Sequence, residues 1–407
     1  MTHDADVLVV GAGASGCAVA IGLTRLGRSV LVVDRWPSRA AELGETLPPS
    51  ARRALLRLGV GPLGGAHPRC WSYRSAWGTP RLAAYELIRS PYGHGWRIDR
   101  SELDRELRGR AASLGARILT GTRIGGSGAW LDSGGWLIPL EDSHGGLAHA
   151  RAGWVVDATG RARMWSRAMG GRARAVDRLV ALSALFTPER EQSGLRDPRF
   201  DDPLVESVPG GWWFTAATAD GRLAASRFTD ADLGPPGRAA AGGAADPAAE
   251  GACHTAARLR GCRLEAEPRV SSARSELLEP LTGPGWCAVG DAAAAHDPLC
   301  SNGITYGLET GLRAAGAIDA ALRGGATAMD TYSDSVRRSF SVYLAARRRW
   351  YGAERRWPEM PFWRRRAGGE SQPEPGGSST RSRSNPGFPR SRSQVGSSRS
   401  SARVMDG

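Results

Sequence analysis

Apolar and polar positions follow two different periods along this chain, and the changes between them mark its elements. Val7–Val10 is an unbroken apolar run of strand length, the pattern of a strand covered on both faces. A helical period follows from about Ala14 to Leu26 and is closed by Gly27; Ser29–Val33 then returns as a second apolar strand. Ser50–Leu58 and Arg100–Leu114 read as amphipathic helices, with Gly59 and Gly115 just past their ends. In the second, Leu103, Leu107, Ala111 and Leu114 share one face. Short strands are predicted at Arg117–Leu119 and Trp136–Leu140. The run GWVVDATG, Gly153–Gly160, reads as a buried strand ending in a turn.

From about 178 the period shortens to two. Leu179–Phe186, Leu204–Val208, Trp212–Ala217 and Arg222–Phe228 are predicted strands, and Asp220-Gly221 is a hairpin signal. This predicts an antiparallel sheet inserted between parts of an α/β fold. A segment rich in Gly, Ala and Pro, 234–252, interrupts it. The α/β pattern resumes with a strand at Trp286–Val289 and a helix from about Ser301 to Leu322. A further helix runs from about Met329 to Arg356, stopped by Pro358. From Gly368 the chain is Ser, Gly, Pro and Arg with almost nothing to bury, which predicts a disordered tail.

Composition narrows the class. The 407 residues suffice for two or three domains. No apolar run approaches the ~18 residues of a membrane span. The N-terminus passes almost directly into a strand, leaving no room for a signal peptide. Six scattered cysteines without a C-x-x-C pair predict neither a zinc site nor a disulfide framework, and with them a cytoplasmic protein.

All 54 basic residues are arginine; there is no lysine. The net charge of +13 is uneven: Arg337–Arg366 holds ten Arg against Glu354 and Glu359, and 367–407 holds six Arg against three acids. The remaining body is nearly neutral, which argues against a nucleic-acid-binding face.

The candidate chemistry begins at the first helix. Gly11, Gly13 and Gly16 have G-x-G-x-x-G spacing between a strand and a helix. The first permits a tight turn, the second admits a pyrophosphate to the backbone, and the third lets helix and strand pack closely. Ala14 and Ser15 then open the helix with free N–H groups and the positive end of its dipole. Asp34 ends the second strand, where a carboxylate accepts ribose hydroxyls, and Arg35 adjoins it. Together these predict a dinucleotide site.

Further motifs carry a family resemblance: Gly44-Glu45-Thr46-Leu47-Pro48, Asp157-Ala158-Thr159-Gly160, and Gly290-Asp291 followed by His296-Asp297-Pro298. With the glycine fingerprint, they resemble FAD-dependent monooxygenases of the p-hydroxybenzoate hydroxylase fold. Within these the chain is similar to the tryptophan-halogenase-like branch, and most similar to flavoproteins that mature quinone cofactors of amine and amino-acid oxidases. The resemblance spans about residues 5–366 and includes the runs GGWWFTAATADGRLAASRFTD and YGAERRWPEMPFWRRR.

The resemblance implies a glutathione-reductase-like FAD-binding Rossmann fold with an inserted antiparallel β-sheet substrate domain and a helical C-terminal segment. The FAD domain is expected at 1–70, 95–175 and 268–325, and the sheet domain at 71–94 and 176–267. Helices are expected at 326–366, and the tail at 367–407. Asp291 is expected on a ribityl hydroxyl. Pro298, Asn302 and Gly303 are expected where a helix N-terminus meets the flavin pyrimidine edge. Glu45 is expected beside the isoalloxazine, as a candidate catalytic carboxylate as well as a cofactor contact, and Arg100 near the cofactor, with Arg97 as its rival. His296 is a candidate proton relay or an orienting residue. Trp212 and Trp213 face opposite sides of a strand, one toward the core and one available to wall a substrate pocket.

The implied reaction is hydroxylation of an electron-rich aromatic ring through a flavin C4a-hydroperoxide, with FAD reduced by NAD(P)H directly or by a separate flavin reductase. The aromatic is a small molecule or belongs to a polypeptide or carrier, such as a tryptophan on its way to a quinone. Alternatives are a tailoring monooxygenase, a flavin-dependent reductase or desaturase, and a flavin-binding interaction protein. Halogenases of the family use a lysine to carry oxidised halide and have a W-x-W-x-I-P motif. This chain has neither, so halogenation is disfavoured.

Overall fold

Five strands in parallel form the floor of the structure. The computed structural model describes residues 1–36, 45–87, 90–126, 128–131, 134–189, 202–233 and 246–367. Within them Thr2–Val10 is central, flanked by Val30–Asp34 and Leu147–Asp157; Arg117–Thr120 and Trp286–Ala288 lie outside these. Val7, Leu8 and Val9 are fully buried, as a strand covered on both faces requires. Leu147–Asp157 begins earlier than its sequence suggests. Its first half pairs antiparallel with Trp136–Asp142 and turns only alanines inward, a weak apolar signal. This is the FAD-binding Rossmann arrangement expected from the glutathione-reductase-like pattern.

Two helices cross on this floor through small residues. A Cβ added at Gly22 would lie 2.5 Å from Ala315 Cβ, and one at Gly311 would lie 2.6 Å from the Ser15 carbonyl oxygen. Helix Ala14–Arg25 therefore packs closely on helix Gly303–Leu322.

The second layer is an eight-stranded sheet that contains Leu179–Pro188, Leu204–Val208, Gly211–Ala217 and Leu223–Asp230. Ser72–Ala76 and Ala83–Glu86 extend it, so chain from both sides of the Rossmann segments meets in one sheet. It is antiparallel except where Leu204–Val208 runs parallel to Ser72–Ala76. Arg269–Ser272 pairs with Leu179–Pro188, so the chain leaves this layer only after Ser272. The Asp220-Gly221 turn forms as predicted, with Gly221 at φ 91°.

Helix Ala328–Ala353 links the layers. It ends before Pro358, at Glu354, whose backbone is extended and whose carboxylate accepts from Gly78 N and Ser207 Oγ, both at 2.7 Å. A short helix, Pro361–Ala367, follows and buries Phe362 and Trp363 beneath the sheet. Residues Met1–Gly369 form one compact unit. Gly44, the 234–245 part of the interrupting segment, and the tail beyond Ala367 lie outside the described residues. No helix among the described residues is long and apolar enough to cross a membrane.

Candidate functional site

The glycine loop is held by close backbone approach. Gly11 has φ 108°, and a Cβ there would lie 2.4 Å from Ala158 O; one at Gly16 would lie 1.9 Å from Gly11 O. The partner turn is rigid for a separate reason. Buried Asp157 accepts from Thr159 N and Oγ1 through one oxygen and from Ser166 N and Oγ through the other. The DATG motif thus braces the loop from beneath.

Gly13 is the N-cap of Ala14–Arg25, with no side-chain cap and no acid in the first turn. Its N–H groups and dipole end are left for an anion. Asp34 is buried and accepts from Ala12 N at 2.7 Å and Trp36 N at 2.8 Å, so it shapes the loop as well as ending the strand. Beside it lies a cavity of about 180 Å³ lined by residues that include Asp34, Arg35, Trp36, Thr122 and Met164. The Arg35 guanidinium stacks 4.8 Å from the Trp36 ring centroid.

The second half of the site sits at the N-terminus of Gly303–Leu322. Its N-cap, Asn302, makes no side-chain cap bond, and no acid lies in its first turn. A Cβ on Gly303 would meet nothing within 4 Å, so the space before this helix end is open. Ser301 is left-handed, φ 46°, a strained conformation outside glycine. Pro298 opens the preceding turn, and Asp297 Oδ1 accepts from Leu299 N. Asp291 keeps a side chain 40% exposed, 3.8 Å from Arg161. Arg163, which no motif marks, holds this loop by donating to Ala292 O and Asp291 O while pairing with Glu276.

Glu45 and Arg100 come together as an ion pair, both carboxylate oxygens at 3.2 Å from Nη1, and Arg100 also reaches Asp104. Arg97 is buried on the short strand Gly95–Arg97. A base role for Glu45 thus has a guanidinium already attached to the carboxylate.

His296 is 7% exposed, and neither ring nitrogen has a hydrogen-bond partner among the described residues. Its ring lies 4.2 Å from that of Tyr343 and 4.3 Å from that of Tyr306. Burial first, and the Arg161 charge second, push it down to about 4, so the imidazole is neutral near pH 7. Tyr306 Oη is likewise buried without a partner. Both line a cavity of about 690 Å³ between helices Gly303–Leu322 and Ala328–Ala353, which also reaches Pro48, Cys300, Asn302 and Trp350.

Trp212 and Trp213 do not line this cavity. They face opposite sides of their strand as expected, but both are buried. Trp212 stacks on Phe228 at 3.8 Å and donates to Tyr351 Oη; Trp213 donates to Glu250. Helix Pro361–Ala367 packs on the Trp212 face, and the Glu250 turn on the Trp213 face. The cavity's aromatic walls, Tyr306, Tyr343 and Trp350, come instead from the two helices. Tyr306 was findable from sequence one turn after Asn302. Trp350 belongs to a seven-residue aromatic repeat with Tyr343 and Trp357 that reads as core packing, yet it is 40% exposed.

Two uncapped helix ends, the Gly11 approach, Asp34 with its cavity, and the open space before Gly303 fit an FAD. Among the described residues no cluster could hold a metal ion.

Comparison with known proteins agrees. A family model for an FAD binding domain matches residues 6–42. The chain is 24% identical over 372 residues to LodB of Marinomonas mediterranea, described as an FAD-dependent oxidoreductase, covering 89% of this chain and 96% of that one. It is 31% identical to menaquinone reductase of Mycobacterium tuberculosis, covering 77% and 76%. Among solved structures, the myxobacterial halogenase CndH superposes with a TM-score of 0.76 at 19% identity, covering 89% of this chain and 86% of that one. The peptidyl tryptophan dihydroxylase QhpG gives 0.69 at 27% identity, covering 91% and 80%.

Proposed function

We propose that this chain, which belongs to the family of FAD-dependent oxidoreductases that includes mycobacterial menaquinone reductase, hydroxylates an electron-rich aromatic acceptor held in the 690 Å³ cavity. The observation that carries this reading is the pair of buried, unpartnered polar groups, His296 and Tyr306 Oη, on an aromatic wall next to the flavin-facing helix end. A buried polar group without a partner costs about 1–3 kcal/mol, which a hydrogen-bonding ring recovers.

Reduced FAD supplies two electrons and oxygen activation: one atom of O2 enters a ring C–H bond and the other leaves as water. Trp350, Tyr343 and Tyr306 orient the flat ring. Neutral His296 accepts from, or donates to, its N–H or O–H group, and steadies the proton there as the ring becomes electron-poor. Asn302 and Gly303 offer main-chain N–H groups to the flavin's pyrimidine edge, and Asp291 offers its carboxylate to the ribityl chain. Glu45, fixed by Arg100, positions the loop over the ring. The work divides between cofactor and acceptor: the Rossmann segments hold the cofactor, and helices Gly303–Leu322 and Ala328–Ala353 wall the acceptor side. Electrons come from NAD(P)H or from a separate flavin reductase. The acceptor is a small aromatic molecule or an aromatic residue of a polypeptide; the similarity to QhpG supports the latter.

The 31% identity to menaquinone reductase favours a second reading, reduction of an unsaturated or quinone substrate by the same flavin. Product mass separates them. With reduced FAD, oxygen and an indole or phenol acceptor, hydroxylation adds 16 mass units and consumes oxygen. A gain of two units, formed equally well without oxygen, would replace this reading with the reductase.

A further inference from the structure

The 690 Å³ cavity has two chemically different ends. One holds His296, Tyr306 and Asn302. The other is built by successive turns of the two helices: Glu309 and Arg313 on one, Ser335, Arg338 and Ser339 on the other. Arg313 is held in place across the helix pair, donating to Ser339 Oγ at 3.2 Å and to Glu309 O at 3.4 Å. Neither Arg313 nor Arg338 has a carboxylate partner among the described residues, whereas Arg337, next to Arg338, pairs with Glu279 and Asp334, and Arg347 of the same helix pairs with Asp177 and Asp297. Glu309 is the single acid on the cavity wall, so the end it shares with two guanidinium groups stays net positive.

Resting on the reading of this cavity as the acceptor site, we propose that it selects an aromatic acceptor flanked by a carboxylate. Arg313 and Arg338 take the anion, and His296 with Tyr306 takes a ring N–H or O–H. The planar fork of an arginine pairs with a carboxylate through two parallel hydrogen bonds, and two arginines on facing helices fix its distance from the ring pocket. That distance decides which ring carbon faces the flavin end, so the arginines set regiochemistry as well as affinity. The carboxylate belongs either to a free aromatic acid or to an acidic residue beside an aromatic one in a polypeptide; the recognition chemistry is the same.

The test uses the FAD-loaded full-length enzyme and five ligands that do not need to turn over, followed by calorimetry and by perturbation of the flavin visible spectrum. Indole-3-acetate should bind at least tenfold tighter than indole-3-acetamide, with the advantage shrinking as salt rises. Arg313→Gln with Arg338→Gln should erase that preference while leaving acetamide affinity unchanged. His296→Phe with Tyr306→Phe should instead erase the preference for indole-3-acetate over 1-naphthylacetate, which lacks the ring N–H. A Glu-Trp-Glu peptide compared with Gln-Trp-Gln tells the two sources apart: a charge preference larger in the peptides than in the free acids assigns the polypeptide. Equal binding of acetate and acetamide, or no binding of any indole ligand, overturns the proposal. Charge-selective binding without any +16 product would leave this site standing and defeat the hydroxylase reading instead.

Discussion

Tyr351 donates its phenolic hydrogen to Asp297 Oδ2 at 2.8 Å, tying the last turn of the long C-terminal helix to the loop that carries Pro298. The contact is part of a buried chain. Trp212 Nε1 donates to Tyr351 Oη, and Arg347 bridges Asp297 to Asp177. Burial pushes the Asp297 carboxyl up, and the Arg347 charge offsets only part of that rise. Through these residues the inserted sheet and the C-terminal helix hold the loop that carries Pro298 in position.

Breaking that chain should therefore loosen cofactor geometry as well as stability. Removing one partner of a buried ion pair leaves a charge uncompensated, at about 3–5 kcal/mol. Arg347→Met should lower the melting temperature and shift the bound flavin's visible spectrum, whereas Tyr351→Phe should cost about 1–3 kcal/mol. Thermal unfolding and absorbance spectra of the two variants check this; an unchanged flavin spectrum in Arg347→Met would show that the network only supports the fold.

Cofactor retention should depend on Gly11 through backbone space. Gly11→Ala forces a Cβ against Ala158 O in a left-handed backbone conformation, so the purified variant should hold less than about a tenth of the wild-type FAD. Absorbance at the flavin band of the purified protein measures it. Full FAD content would mean that the glycine loop is not the pyrophosphate site.

His296 gives a pH signature. Its folded value, about 4, lies below the ordinary 6.5, so the neutral ring belongs to the folded state and the unfolded chain binds the proton first. The stability associated with the neutral ring is complete above pH 6.5. It is lost as pH falls toward 4, by about 1.4 kcal/mol per pH unit. His296→Phe should flatten the melting temperature across that window. Parallel profiles for the variant and the wild type would exclude a depressed histidine.

Halide should not enter the product. With no lysine in the chain, and with arginine's guanidinium protonated at any working pH, the lysine amine that carries oxidised halide in the family's halogenases has no counterpart. Mass analysis of turnover in excess bromide should show oxygen addition only. A brominated product that survives scavenging of free hypobromite would overturn that expectation.

The sequence by itself determined the elements and the cofactor end of the molecule. Gly11, Gly13, Gly16 and Asp34 work through backbone conformation and neighbours within one βαβ unit, so their spacing carries their geometry. The turn after Asp157 and the helix opening at Gly303 are legible for the same reason. Tertiary structure alone decided the acceptor end. Trp212 and Trp213 have the alternation of any half-buried strand, and only the elements packed on both faces show that neither is available to a ligand. The cavity lies between helices Gly303–Leu322 and Ala328–Ala353 and reaches Pro48, from a distant part of the chain. Residue periodicity records which face of a helix is apolar. It does not record that His296 and Tyr306 meet there with no partner, or that Arg313 and Arg338, on different helices, face the same space.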